Sequence, residues 1–439
     1  MKSLTYKCVM LVLLAGLAAA EKTKTVTLTA ELDRPVLMAD EKQTVYLRVG
    51  LRGCPVEVMK DRAPVNVAIV IDKSGSMNSN GKIQAAREAA ILALYRLKSE
   101  DIVSVILYDS DVKVLIPATK MTNRSDIIRH IRSIQAGGST ALYAGVQTGA
   151  NEVRKFLSNQ RVNRIVLLSD GLANVGPDSP SALGKLGADL IDEGVSVTTI
   201  GVGNGYNEDL MSQLAFRSDG GHYFCEEPDE LAGIFDQEFG RAMSVVAQKV
   251  IIEITCPKGI RPIRLLGREG VIKDQTITLD MNHIYGDHEK YVLLQVEAPA
   301  LDDITNRFNI ANVNINYMDI INNNNAKLDT AVAASLTRSR ETYNNMQNKH
   351  VYADVVEQIA IETNEKALAL RDAGQVQQAR QMLIGNSAFL HSNAAALGSD
   401  KLESYAYENG NDADNLDESK WIYTRKGMRE NQTTRRSQR

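Results

Sequence analysis

The chain has 439 residues, 44% of them hydrophobic and 24% charged, with a formal net charge of -4. That length allows two or three domains of ordinary globular composition, and the charge gives no electrostatic case for a nucleic-acid partner. With four cysteines, one of them (Cys8) in an apolar leader, disulfides are excluded as the main source of stability.

Lys2 and Lys7 precede an apolar run over residues 9–20 that ends in small residues. This is the pattern of a signal peptide over 1–20, cut after Ala20. The run is short for a bilayer span, and no later stretch is long and apolar enough for one. The mature chain is therefore expected to be exported, periplasmic or secreted, with no transmembrane segment.

Residues 24–51 alternate, with Val26, Leu28 and Ala30 on one face of a first strand and Val45, Leu47, Val49 and Leu51 on one face of a second. Two half-buried strands are not stable alone. Partner strands are expected at 250–256, 263–266, 276–279, 291–298 and 308–318. This predicts an antiparallel β-sandwich in two parts, 21–62 and 244–328, with another domain inserted between its second and third strands.

The insert, 63–243, alternates strand and helix. Residues 65–71 form a solid apolar run rich in Val and Ile, the mark of a strand buried on both faces. A helix is expected from Lys82, a second buried strand over 102–108, and a strand over 111–116. Too few residues precede that last strand for a crossover helix, so it should pair antiparallel at the edge. Helices over 125–134 and 141–157, and strands over 165–169, 195–200 and 222–224, complete the set. The fold class is α/β: a doubly wound, mostly parallel six-stranded sheet inserted in the sandwich.

Residues 329–404 are rich in Ala, Leu, Gln and Glu, and predict an α-helical hairpin from 350–372 and 375–397, turning at Asp372-Ala373-Gly374. Residues 367–383 resemble a tetratricopeptide hairpin, but in one copy where a solenoid needs about three. Residues 405–439 are polar, basic towards their end and without periodicity, which predicts a disordered tail.

Ligands of open α/β sheets bind at the carboxyl ends of strands. Asp72 ends the first buried strand, followed by the hydroxyls of Ser74 and Ser76. Asp170 ends the 165–169 strand, and Thr140 follows Gly137-Gly138-Ser139 at the start of a helix. Asp-x-Ser-x-Ser alone is also a common turn and cap pattern. Three loops converging at one switch point would instead give two carboxylates and three hydroxyls. Such hard oxygen donors suit Mg²⁺ (magnesium) or Mn²⁺ (manganese), with Ca²⁺ (calcium) also open to them, rather than zinc or copper. Neutral hydroxyls leave the ion under-neutralised, so it can accept a carboxylate from a partner. The six histidines are scattered without zinc spacing, none recognisably serves as a base for Ser76, and no glycine-rich loop with a following lysine signals a nucleotide site.

Asp72-x-Ser74-x-Ser76, Gly137-Gly138-Ser139-Thr140 and Ser169-Asp170-Gly171 resemble the metal-ion-dependent adhesion site (MIDAS) of von Willebrand factor type A domains. Tyr206-Asn207-Glu208-Asp209-Leu210-Met211 and Gly220-Gly221-His222-Tyr223 further resemble exported bacterial members in which the A domain interrupts a β-sandwich. Inter-α-trypsin inhibitor heavy chains are more distantly similar. The resemblance implies strand order 3-2-1-4-5-6 with one short antiparallel strand. It also implies hydroxyl ligands Ser74, Ser76 and Thr140, with Asp72 and Asp170 binding directly or through water.

The function implied is a non-enzymatic, metal-dependent adhesion or assembly module that holds an Asp or Glu of a partner protein. A metal-dependent hydrolase, or a scaffold whose metal only staples loops, are the alternatives. Cys54 and Cys256 flank the insert, each followed by proline, and are expected to pair as a disulfide.

Overall fold

The computed structural model describes residues 24–55, 62–302, 304 and 307–438. The expected signal peptide, 1–20, lies outside them. The chain opens with β1 (Val26–Leu32), β2 (Val36–Met38) and β3 (Gln43–Gly53). β1 and β3 pair antiparallel in the expected alternation, with Leu28 opposite Leu51 and Ala30 opposite Val49.

The insert follows as β4 (Val65–Asp72), α1 (Lys82–Arg96), β5 (Ile102–Tyr108), β6 (Val112–Lys120), α2 (Arg124–Arg132), α3 (Leu142–Arg154), β7 (Val162–Ser169), α4 (Pro180–Asp192), β8 (Val195–Val202), α5 (Glu208–Arg217), β9 (His222–Cys225) and α6 (Leu231–Met243). Its sheet runs β6-β5-β4-β7-β8-β9. Only the β5–β6 pair is antiparallel. Every residue of β4, β5, β7 and β8 is buried, as a sheet covered by helices on both faces requires.

The sandwich resumes with β10 (Val245–Thr255), β11 (Arg261–Leu266), β12 (Val271–Lys273), β13 (Thr276–Tyr285), β14 (Glu289–Ala298), β15 (Phe308–Asp319) and β16 (Asn324–Thr337). Its sheets are β1-β3-β14-β11 and β12-β13-β10-β15-β16-β2. Leu47, Val49, Val292 and Leu294 of the first share a core with Ile252, Ile254, Val313 and Ile315 of the second.

Two boundaries differ from expectation. The insert enters after a third strand, because the short β2 pairs with β16 and buries Leu37 and Met38. The sandwich also extends to Thr337 rather than 328. The Ala-rich stretch there reads as helix by propensity, yet Val332, Ala334 and Leu336 are buried in alternation on β16, which pairs with β15 and, at its end, with β2. Sheet pairing has overridden a weak local preference.

The cysteines also require correction, since Cys54 and Cys256 are free thiols. Cys54 O accepts from Asp287 N at 3.1 Å, beside Gly286, whose N–H donates to Ser244 O just before β10. Cys256 lies just past the other end of β10, an 11-residue strand. At about 3.3 Å per residue the strand separates them by roughly 30 Å. A disulfide needs Cα atoms within about 7 Å.

The chain ends in α7 (Arg340–Asn345), α8 (Lys349–Asp372), α9 (Val376–Leu397), α10 (Asp400–Asp414) and α11 (Glu418–Ser437). The α8–α9 hairpin turns at Gly374, whose φ of 78° favours glycine. The tail over 405–439 is not disordered: its described part is helical. Trp421 and Met428 are buried with Leu368 and Leu383. The basic residues of α11 pair with carboxylates far away in sequence, including Glu208, Asp209, Glu357, Glu365 and Asp372. Among the described residues no helix is long and apolar enough to cross a membrane.

The insert is fastened to the sandwich at one end. Arg164, near the start of β7, bonds Glu238 and the Tyr285 hydroxyl, each at 2.9 Å. Asp219 accepts from Lys290 Nζ and from Asn282 N, each at 2.9 Å. β4 runs away from this end: Asp72 lies five residues beyond Val67, the partner of Arg164, or roughly 17 Å further along the strand.

Candidate metal centre

Three loops meet at the carboxyl ends of β4 and β7, and backbone bonds stitch them together. Lys73 N donates to Tyr108 O (2.9 Å), Gly137 N to Lys73 O (2.6 Å) and Gly75 N to Gly138 O (2.9 Å). Gly138 has φ 91°, and a Cβ there would stand 2.8 Å from Asp109, so both backbone and space demand glycine. On the third loop, Asn174 accepts from Thr140 N (2.9 Å) and donates its own N–H to Thr140 O (3.2 Å).

Inside this frame the side chains interlock. Asp72 is fully buried, and its oxygens accept from Ser74 N and from the Ser169 hydroxyl, each at 2.8 Å. Burial pushes its carboxyl up to about 6; the Ser74 and Ser169 contacts oppose the rise, and the charge of Asp170 adds to it. Ser74 Oγ and Ser76 Oγ lie 3.0 Å apart. Ser76 Oγ donates to Asp170 Oδ1 at 2.7 Å, and Lys82 Nζ to Asp170 Oδ2 at 2.7 Å.

A methyl group built on Gly171 would stand 3.0 Å from Thr140 Oγ1, 3.5 Å from Ser76 Oγ and 3.7 Å from Ser74 Oγ. The three hydroxyls therefore face one small space, with both carboxylates beside it. Asp72, Ser74, Thr140 and Asp170 are buried while Ser76 is exposed, so the space opens on the Ser76 side. All five residues expected from the sequence are brought together. Asn174 and Lys82 were not foreseen as part of the site, and Ser169, quoted in its motif, had been given no role; it bonds Asp72. Among the described residues no group of three or more His, Cys, Asp or Glu could hold a metal. The donor set here is mostly hydroxyl, which fits a hard cation and not zinc.

Residues 66–237 match the family model for the von Willebrand factor type A domain. These residues form a von Willebrand factor type A domain. The chain is similar over part of its length to two uncharacterized bacterial proteins. YfbK of Escherichia coli is 28% identical over 206 residues, covering 46% of this chain and 36% of that protein. The sll0103 protein of Synechocystis is 33% identical over 184 residues, covering 42% and 43%. Human inter-alpha-trypsin inhibitor heavy chain H3 is 25% identical over 253 residues, covering 54% and 27%. The chain thus spans less than half the length of each of these relatives.

Two solved structures share the fold over most of both chains. One is a von Willebrand factor type A protein from Catenulispora acidiphila, with TM-score 0.69, 16% identity and coverage of 85% and 88%. The other is the ArnB paralog VWA2 from Sulfolobus acidocaldarius, with TM-score 0.64, 17% identity and coverage of 93% and 98%. The A domain inside a sandwich is therefore an arrangement found beyond this chain.

Proposed function

We propose that this protein is an exported binding module that holds an acidic residue of a partner protein at a divalent cation, Mg²⁺ or Mn²⁺. The observation that carries the reading is the convergence of Ser74, Ser76 and Thr140 hydroxyls on one space flanked by Asp72 and Asp170. When bound there, the ion would supply an electrophilic centre for an anionic oxygen. Ser74, Ser76 and Thr140 would hold it through neutral oxygens, and Asp72 and Asp170 directly or through water. Neutral donors leave charge unbalanced, which is what a partner carboxylate would use.

Other residues of the chain have supporting roles. Ser169 and the Ser74 N–H orient Asp72, and Lys82 and Ser76 orient Asp170. Leu172, 59% exposed, and Val175 are exposed apolar residues on the stretch that follows Asp170. A central charged contact can dominate an interface, and loss of the partner's carboxylate should cost about 2 kcal/mol or more. Export rests on the leader pattern of residues 1–20.

The test is capture of partners by the mature protein with Mg²⁺, with chelator, and with Mg²⁺ restored, beside calorimetric Mg²⁺ titration of the wild type and Asp72→Ala. Partners released by chelator, and loss of Mg²⁺ heat in the variant, are expected. A partner held equally well in excess chelator would leave the ion a loop staple and overturn the binding role.

A further inference from the structure

Beside the two carboxylates of the proposed site the chain itself supplies a positive charge, Lys82. Lys82 is the first residue of α1, and its Nζ lies 2.7 Å from Asp170 Oδ2. The pair is sheltered: the Lys82 side chain is 12% exposed and the Asp170 side chain fully buried. Gly81, in the left-handed region at φ 71°, turns the chain into α1. On the other side the lysine stem passes Gly203, where a Cβ would stand 3.4 Å from both Lys82 Cε and Nζ, in ordinary contact. A cation at the first position of a helix meets the wrong end of the helix dipole. The placement therefore does not serve α1, and the group it does serve is Asp170.

We propose that Lys82 is a built-in counter-cation of the metal centre, lowering its affinity for divalent ions and leaving the loaded site with a net positive charge. The inference rests on the reading of these loops as a divalent-cation site. The charges follow directly. Asp72 and Asp170 alone would neutralise a divalent ion; with Lys82 paired to Asp170, the protein contributes one net negative charge and the loaded site keeps one positive. That surplus is what an incoming carboxylate would cancel. Through an interior that screens weakly, an ammonium within bonding distance of a ligand oxygen repels the ion strongly. It also keeps Asp170 oriented when no ion is present, so the loops need not rearrange to bind.

This role and a merely structural one predict opposite signs. If Lys82 only props Asp170 in place, removing it should weaken metal binding. If it is a counter-cation, removing its charge should strengthen it. The experiment is calorimetric titration of Mg²⁺ and Mn²⁺ into the wild type, Lys82→Met, Lys82→Gln, Lys82→Arg and Asp72→Ala at one ionic strength, with thermal unfolding of each without metal. Lys82→Met and Lys82→Gln are expected to bind at least tenfold more tightly and Lys82→Arg to stay within about threefold of the wild type, a pattern set by charge. Should Lys82→Met fail to fold, Lys82→Gln carries the comparison. Unchanged or weaker binding in the neutral variants, with Asp72→Ala silent, would overturn the role of Lys82 while leaving the metal centre standing. Binding by the neutral variants but not by the wild type would uphold Lys82 as the resident cation and sink the cation-dependent function. Binding by none would end both.

Discussion

Gly171 carries no side chain at the point where three hydroxyl oxygens meet, and its φ lies outside the left-handed region. Its backbone therefore tolerates alanine, while the space it faces does not. Gly171→Ala would put a methyl group 3.0 Å from Thr140 Oγ1, inside the cradle. We expect Mg²⁺ binding to weaken at least tenfold, or about 1.4 kcal/mol, with little change in melting temperature. Unaltered calorimetric affinity would place the ion elsewhere. Thr140→Val makes the complementary test, because it removes one donor at nearly constant volume. Loss of partner capture with an intact fold is expected; a fall in melting temperature with capture retained would indicate stapling. At this scale the ligand residues were legible because their spacing at strand ends is itself the chemistry. Lys82 was not, because a lysine at a helix start reads as solvated until its partner, 88 positions away, is known.

At the scale of elements, the strands buried on both faces were legible to within three residues at each end, since a covered parallel sheet leaves a solid apolar run. The tail was not. α11 has few apolar positions and is held by pairs such as Arg425 with Asp372 and Arg436 with Glu365, which periodicity cannot show. Its docking should also respond to pH. Burial raises the Glu430 carboxyl to about 7, the Phe224 backbone opposes this, and Glu230 adds to it. The folded pKa exceeds the unfolded value of about 4.5, so the stability tied to the protonated form is complete below that value and lost as pH rises through 7. Asp412 of α10, also raised to about 7 by burial, acts in the same direction. Glutamine mimics the protonated acid at every pH. Glu430→Gln should therefore match the wild type at pH 5 and melt at a higher temperature at pH 8. An equal difference at both pH values would show that Glu430 does not titrate in this window.

Across the whole molecule, α11 ties the loop between β8 and α5 to the sandwich. Its 20 residues span about 30 Å at 1.5 Å per residue. Its far end reaches the sandwich, where Gln438, just past the helix, bonds the Tyr291 backbone on β14. Its near end grips the loop between β8 and α5. Tyr423 accepts from Asn204 at 3.3 Å, and Lys426 Nζ donates to Tyr206 O at 2.7 Å and Glu208 Oε2 at 2.6 Å. Arg429 holds Asp209 at 2.8 Å. Lys426 is 2% exposed and stands 3.9 Å above the Tyr206 ring. The gripped loop in turn leans on the metal centre, for a Cβ on Gly205 would stand 2.7 Å from Asp170 O. Burial alone would raise the Glu208 carboxyl, but Lys426 and Arg425 outweigh it and hold it below its ordinary value. Lys426→Met keeps the apolar stem over Tyr206 but leaves Glu208 and the Tyr206 carbonyl without the ammonium. Breaking a buried pair by removing one partner costs about 3 kcal/mol. The loss should be local: amides of 418–437 should exchange hydrogen faster by about two orders of magnitude, while those of β4 and β7 stay protected. Faster exchange in β4 and β7 as well would mean that α11 is part of the core of the A domain and not a strut laid along it. Unchanged exchange throughout would show that the Lys426 ammonium does not hold α11 in place.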